Sequence, residues 1–263
     1  MLLAFILSSV PRDARAWTWL PDGRTTLVPI ADPREPSLGF DAIEGGFWSA
    51  RVGAAVAVGR AGAAADSSGL EIGVDGLAWL WFSALPNFNF PLETVDGSFG
   101  LWAGRRHDRF AWRARLAHWS GHLGDGAADI EETRIVYSRE SITLLGAWDA
   151  NPHLRLYGGP GFFYRAHPRT QAFQFQAGGE LRPDLTVVRP GRRVDPYLAI
   201  DLRMKAENVY RVNQSYQAGV RLSDGDGRRG LRIHLGYTSG ISERGQEWRT
   251  PESYVSLGAT FGD

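Results

Sequence analysis

His118 and Ser120 flank Trp119, and Glu132 follows twelve residues after the serine. In an extended chain, residues two apart project to the same face, so the His118 imidazole can meet the Ser120 hydroxyl as a general base meets a nucleophile. An acid returning along the neighbouring strand would orient that imidazole. These types and spacings suit acyl transfer, with Ser120 as nucleophile, His118 as base, Glu132 as orienting carboxylate, and the Gly121 N–H supporting an oxyanion. The bland alternative makes His118 and Ser120 interfacial polar residues at a strand end, and Glu132 a solvated loop charge.

Other clusters carry weaker signals. Asp125, Asp129, Glu131 and Glu132 form an acidic, Gly-containing stretch with the oxygen ligands that Ca²⁺ takes, although a solvated loop has the same composition. Asp224-Gly225-Asp226-Gly227 begins like a calcium loop but lacks the later Glu, so a turn is the better reading. The six histidines show no metal-ligand spacing. Asp32-Pro33-Arg34-Glu35-Pro36 is rigid and charged; it docks under or inside the rest of the fold, or is a plain linker. Arg113 and Arg115, two apart, are candidate solute-binding cations, with Asp125 as a third candidate binding residue.

The elements that position these residues announce themselves by a period of two. In the last segment Val255, Leu257, Ala259 and Phe261 share one phase, and Ser256, Gly258 and Thr260 take the other. Upstream, Leu198, Ile200, Leu202 and Met204 interleave with Tyr197, Asp201, Arg203 and Lys205. Segments of about ten residues repeat the pattern between Gly, Pro, Asn and Asp signals, which predicts an all-β fold. The reading is a transmembrane antiparallel β-barrel of about twelve strands, apolar outside and polar inside. Inward positions include Arg51, Glu71, Asp75, Arg113, Arg115, Arg155, Arg165, Glu180, Asp201, Arg203, Arg232 and His234. Continuing Phe110, Trp112, Ala114 and Leu116 by twos reaches His118 and Ser120, which places both on the lipid-facing phase near the outer rim. Trp48, Trp81, Phe82, Trp112, Trp119, Trp148, Tyr164 and Tyr237 lie near strand ends, where interfacial girdles sit. With both termini on the inner side, the connections Leu85 to Thr94, Gly121 to Glu131 and Ser239 to Glu252 fall outside, and short turns such as Asp149 to Pro152 fall inside.

Composition narrows the classes further. The 263 residues hold 29 basic and 29 acidic side chains and no cysteine. Zero net charge argues against a nucleic-acid binder, and the missing cysteines remove disulfides and thiolate metal sites. All but one of the basic residues, Lys205, are arginine, whose planar fork suits a crowded polar lumen. No stretch reaches the ~18 to 20 apolar residues of a membrane helix. Residues 1–16 read as a secretory signal, with Leu2 to Val10 apolar and Ala14-Arg15-Ala16 as its small-x-small site. Residues 17–36 are then a periplasmic N-terminal segment, and 37–263 the barrel.

Four blocks in order resemble a bacterial family of unknown function, numbered 1207: Ala31-Asp32-Pro33-Arg34-Glu35-Pro36, His122-Leu123-Gly124-Asp125, Tyr137-Ser138-Arg139-Glu140 and Leu154-Arg155-Leu156-Tyr157-Gly158-Gly159. The resemblance implies an outer-membrane barrel in a Gram-negative bacterium and supplies no activity. Ser256, Gly258 and Phe261 resemble the last-strand signal recognised by barrel-assembly machinery. His118-Trp119-Ser120 with Glu132 resembles the His-x-Ser site of the outer-membrane phospholipase A and lipid A deacylase families, although those continue with Asn-Gly where this chain has Gly121-His122. Two functions follow as expectations. One is hydrolysis of acyl esters of outer-leaflet lipids; the other is a non-enzymatic narrow pore or surface barrel whose charged lumen is closed by Arg–carboxylate pairs.

Overall fold

Period-two sequences settle into ladders when one side of every strand can meet apolar surroundings and the other a polar interior. The computed structural model describes residues 17–61, 68–127, 135–189, 192–224 and 230–262. In chain order the strands are β1 (Trp17–Trp19), β2 (Leu38–Ile43), β3 (Phe47–Ala61), β4 (Leu70–Ser83), β5 (Leu92–His107), β6 (Phe110–Leu123) and β7 (Tyr137–Asn151). There follow β8 (Leu154–His167), β9 (Phe173–Leu181), β10 (Val187–Arg189), β11 (Arg192–Lys205), β12 (Val212–Ser223), β13 (Gly230–Ile241) and β14 (Pro251–Gly262). Each long strand pairs antiparallel with its sequence neighbour, β9 pairing across β10 with β11, and β14 returns to β2 from Ser256 opposite Ile43 to Phe261 opposite Leu38. The result is a closed barrel of twelve strands. β1 and β10 are short additions to the edges of β3 and β11.

Facing follows the expected phase along most of the wall. Leu101, Leu235 and Leu257 are exposed on the outside, Leu257 by 61%, whereas Glu71, Asp75, Arg113, Glu180, Asp201 and His234 are buried inside. Trp148, Tyr164 and Tyr237 are exposed near strand ends, as girdle residues are.

Two expectations need correction. Arg165 does not face inward: the register shifts between Glu140 and Ser141, Tyr164 is the extra residue on β8, and Arg165 pairs with the outward-facing Glu140. Trp81 and Trp119 are not girdle residues; they are 4% and 5% exposed and pack inside the barrel. Of residues 17–36, β1 joins the sheet and the stretch beyond it turns into the lumen, the docked one of the two readings of Asp32–Pro36, with Leu27 and Ala31 fully buried. Leu27 packs against Ala111, Leu145, Ala147 and Tyr157, and Ala31 against Tyr197 and Ala199. Residues 1–16, expected as a signal, lie outside the described residues.

Candidate functional site

The lumen is filled from both ends, and the two fillings meet. From one side comes the N-terminal segment. Asp32 and Pro33 occupy the first two positions of a tight turn that Asp and Pro favour there. The Asp32 carboxylate accepts from the Arg34 N–H at 2.7 Å, and the Asp32 carbonyl accepts from the Glu35 N–H at 3.2 Å. That turn aims three charges in different directions. Glu35 takes a two-pronged pair from Arg113 of β6, both contacts 2.7 Å. Asp32 pairs with Arg203 of β11 and accepts from the Gln176 amide of β9 at 3.0 Å. Arg34 forms an ion pair with Glu243 at 2.7 Å, donates to the Glu243 carbonyl at 3.0 Å, and lies over the Trp119 ring. Lower down, backbone N–H groups of the same segment donate to wall carboxylates, Ile30 to Glu180 and Thr25 to Glu71. Buried charges are tolerable only when paired and hydrogen-bonded in this way.

From the other side comes the connection between β13 and β14, which folds inward instead of standing in solvent. Ser242, Glu243, Arg244 and Trp248 are buried. Lys205 donates to Glu243 at 3.0 Å and Asn213 does so at 2.8 Å. The Gly245 N–H donates to Asp96 at 2.7 Å, and the Gln246 amide donates to the carbonyls of Gly121 and Ile135. Gly121 and Gly245 pass backbone against backbone: a Cβ on Gly121 would stand 2.7 Å from the Gly245 Cα, so any larger residue would push the loop off the wall. Around this loop Leu77, Trp79, Trp81, Trp119, Tyr137 and Trp248 form an apolar cluster, with the Arg244 guanidinium 4.3 Å from the Trp81 ring centre.

Charge states fit this closure. Burial opposes ionisation of Glu35, but the adjoining Arg113 and Arg24 override it and hold the carboxyl below the usual range. Burial likewise opposes the charge on Glu243, and Arg34, Lys205 and Arg203 outweigh it, so its carboxyl titrates far below normal. Both are anions at any ordinary pH. One of the cavities beside the turn has a volume of about 70 Å³, room for a few water molecules.

The residues expected to do chemistry are arranged differently. His118 and Ser120 both face outward near the end of β6, but no hydrogen bond joins them. The His118 ring meets Glu140 of β7 at 2.6 Å and stacks on Phe99, whereas Ser120 contacts His122 at 3.3 Å. Glu132, Asp129 and Glu131 lie outside the described residues, as do residues 225–227 of the other calcium-like stretch. Asp125 is exposed in the connection after β6, and no cluster of metal-ligating side chains occurs among the described residues. Arg113 and Arg115 do face inward, where they are taken by Glu35 and by Asp75, the latter at 2.5 and 2.8 Å. Gly121 serves loop packing. Glu243 and Trp248 were missed, because a connecting loop carries no periodicity to say that it folds inward.

The model of a family described as "Protein of unknown function (DUF1207)" matches residues 38–262. No curated protein matches the sequence. Among solved structures, the NanC porin is 9% identical with a TM-score of 0.48, over 87% of this chain and 100% of that one. The β-domain of the Bordetella autotransporter BrkA is 13% identical with a TM-score of 0.43, over the same shares. Neither likeness bears on activity.

Proposed function

Because the chain belongs to the DUF1207 family, whose function is unknown, we propose its role from its own fold: an outer-membrane barrel of a Gram-negative bacterium, held closed by its own N-terminal segment. An apolar exterior, a polar interior and closed pairing without a free edge are what a lipid bilayer demands of a β-protein. Lipid chains are then its surroundings, and β14, with Ser256, Gly258 and Phe261, is the strand that assembly machinery would grip. The observation that carries the reading is the meeting of Arg34 with Glu243, where a segment entering from one mouth and a loop folding in from the other complete one plug. Solutes pass only when that plug withdraws. Lipid hydrolysis gains no support, since serine and carboxylate sit on different histidines, Ser120 on His122 and Glu140 on His118.

Single-channel recording tests this. The full chain in a planar bilayer should stay closed, and a variant with residues 24–35 replaced by an equally long Gly-Ser stretch should conduct. Closed traces from both would refute the plug.

A further inference from the structure

On the outer wall the apolar belt stops short across four neighbouring strands. Leu101 of β5, Leu116 of β6, Ile142 of β7 and Phe162 of β8 stand opposite one another in a single row, all of them exposed. The next outward row, toward the β6–β7 mouth, reads Phe99, His118, Glu140 and Arg165. Beyond it the row is Gly97, Ser120, Ser138 and His167. Within one step of about 7 Å along the strands the wall passes from aliphatic to charged. A charge facing lipid is costly at the midplane of a bilayer and tolerable near its surface, so the step belongs where acyl chains give way to headgroups. Arg165 lies two residues from the end of β8, which suits that depth.

The one carboxylate in these rows is already engaged. Glu140 meets the His118 Nδ1 at 2.6 Å, and the His118 ring stacks on Phe99. Arg165 is left over. It is exposed, stands opposite Glu140 in the ladder, and forms no hydrogen bond or ion pair with a described residue. The extra residue on β8 is what turns it outward at this level. Its guanidinium offers paired N–H donors in the geometry that phosphate oxygens accept. Ser138 and the exposed His167, opposite each other in the next row, add further polar groups. Directly below, the belt supplies the apolar surface against which the chains of the same lipid would lie.

We propose that Arg165 holds the phosphate of a membrane lipid whose acyl chains lie along Leu116, Ile142 and Phe162, so that one lipid is bound at a fixed place on the wall. The inference rests on the outer wall being lipid-facing and is independent of the plug. The full chain in dodecyl maltoside micelles is mixed with dioctanoyl phosphatidic acid, or with dioctanoylglycerol, which has the same chains and no phosphate. Native mass spectrometry counts the lipid retained. Phosphatidic acid should be retained about tenfold more tightly, and the preference should shrink as salt rises. Inorganic phosphate at the same concentration should not displace it, because it lacks the chains. Arg165→Gln should remove most of the preference, while Arg211→Gln, an exposed arginine in the β11–β12 connection at the same mouth, should leave it intact. Circular dichroism checks that each variant keeps its sheet, and the salt dependence of the parent needs no variant. Equal retention of the two lipids, a preference untouched by salt or by a folded Arg165→Gln, or displacement by inorganic phosphate would overturn the proposal. Failure of the membrane reading looks different: the chain would then stay dispersed as a monomer without detergent.

Discussion

The two halves of the lumen are closed by different physics. Toward the β13–β14 loop the filling is dry: Trp79, Trp81, Trp119, Tyr137 and Trp248 pack together, and arginines lie over their rings. Toward the inner mouth it is loose and rich in arginine, with cavities of about 680 and 310 Å³ between wall and plug. Between them sits the Asp32–Glu35 turn, whose three charges are matched one by one. Packing therefore holds one half, and ion pairing holds the junction. Acid or charge removal should strike the junction and leave the dry half standing, whereas truncating an aromatic should do the reverse.

Acid should have the largest effect, because it reaches two anchors at once. Glu35 and Glu243 both titrate below their unfolded values. The stability they give the docked segment is thus complete above roughly pH 4.3 and is lost as pH falls through their lower native values. Channels recorded at pH 7 should be closed and should open in strong acid; identical traces at both would break the comparison. Glu35→Ala comes next, since it strands the buried Arg113 and should cost about 3 to 5 kcal/mol of unfolding free energy. Adding Arg113→Leu should recover much of that loss, and a double variant no better than the single would show that the pair does not hold the junction. Trp248→Ala should cost about 3 kcal/mol by leaving a hole in the dry half, with the channel still closed at pH 7. The smallest effect is expected at Ser120, where Ala should shift stability by less than about 0.5 kcal/mol. Fatty-acid release from phospholipid vesicles should be no different from the parent's.

Which parts were legible follows from what a period of two can carry. It fixes which side of a strand each residue takes, so Val255, Leu257 and Phe261 outside, and Glu71, Asp75 and Asp201 inside, were readable from the chain. Applied strictly, the same ruler also places Trp81 inside, in step with Glu71, Asp75 and Trp79; their position near strand ends was the weaker cue. It fails at a bulge, where one added residue on β8 turned Arg165 outward. It is silent on partners across strands, so that His118 found Glu140 and Ser120 found His122 could not be read from spacing along β6. The plug has no period at all. Its signal was charge: Asp32-Pro33-Arg34-Glu35 complements Arg203, Glu243 and Arg113, pairings 78 or more residues apart that no local pattern encodes.

The ends of the plug have one more implication. β1 and β2 are both hydrogen-bonded to β3, with Trp19 opposite Gly59 and Leu38 opposite Val52. These clamps lie seven positions apart, roughly 23 Å of strand, whereas the 18 residues from Leu20 to Ser37 can stretch to about 60 Å. The stopper is therefore a slack loop moored twice to one stave of the barrel. It can slip out of the mouth it entered without either mooring letting go, and it returns at an effective concentration in the millimolar range. Resealing should accordingly proceed at the same rate however dilute the protein is.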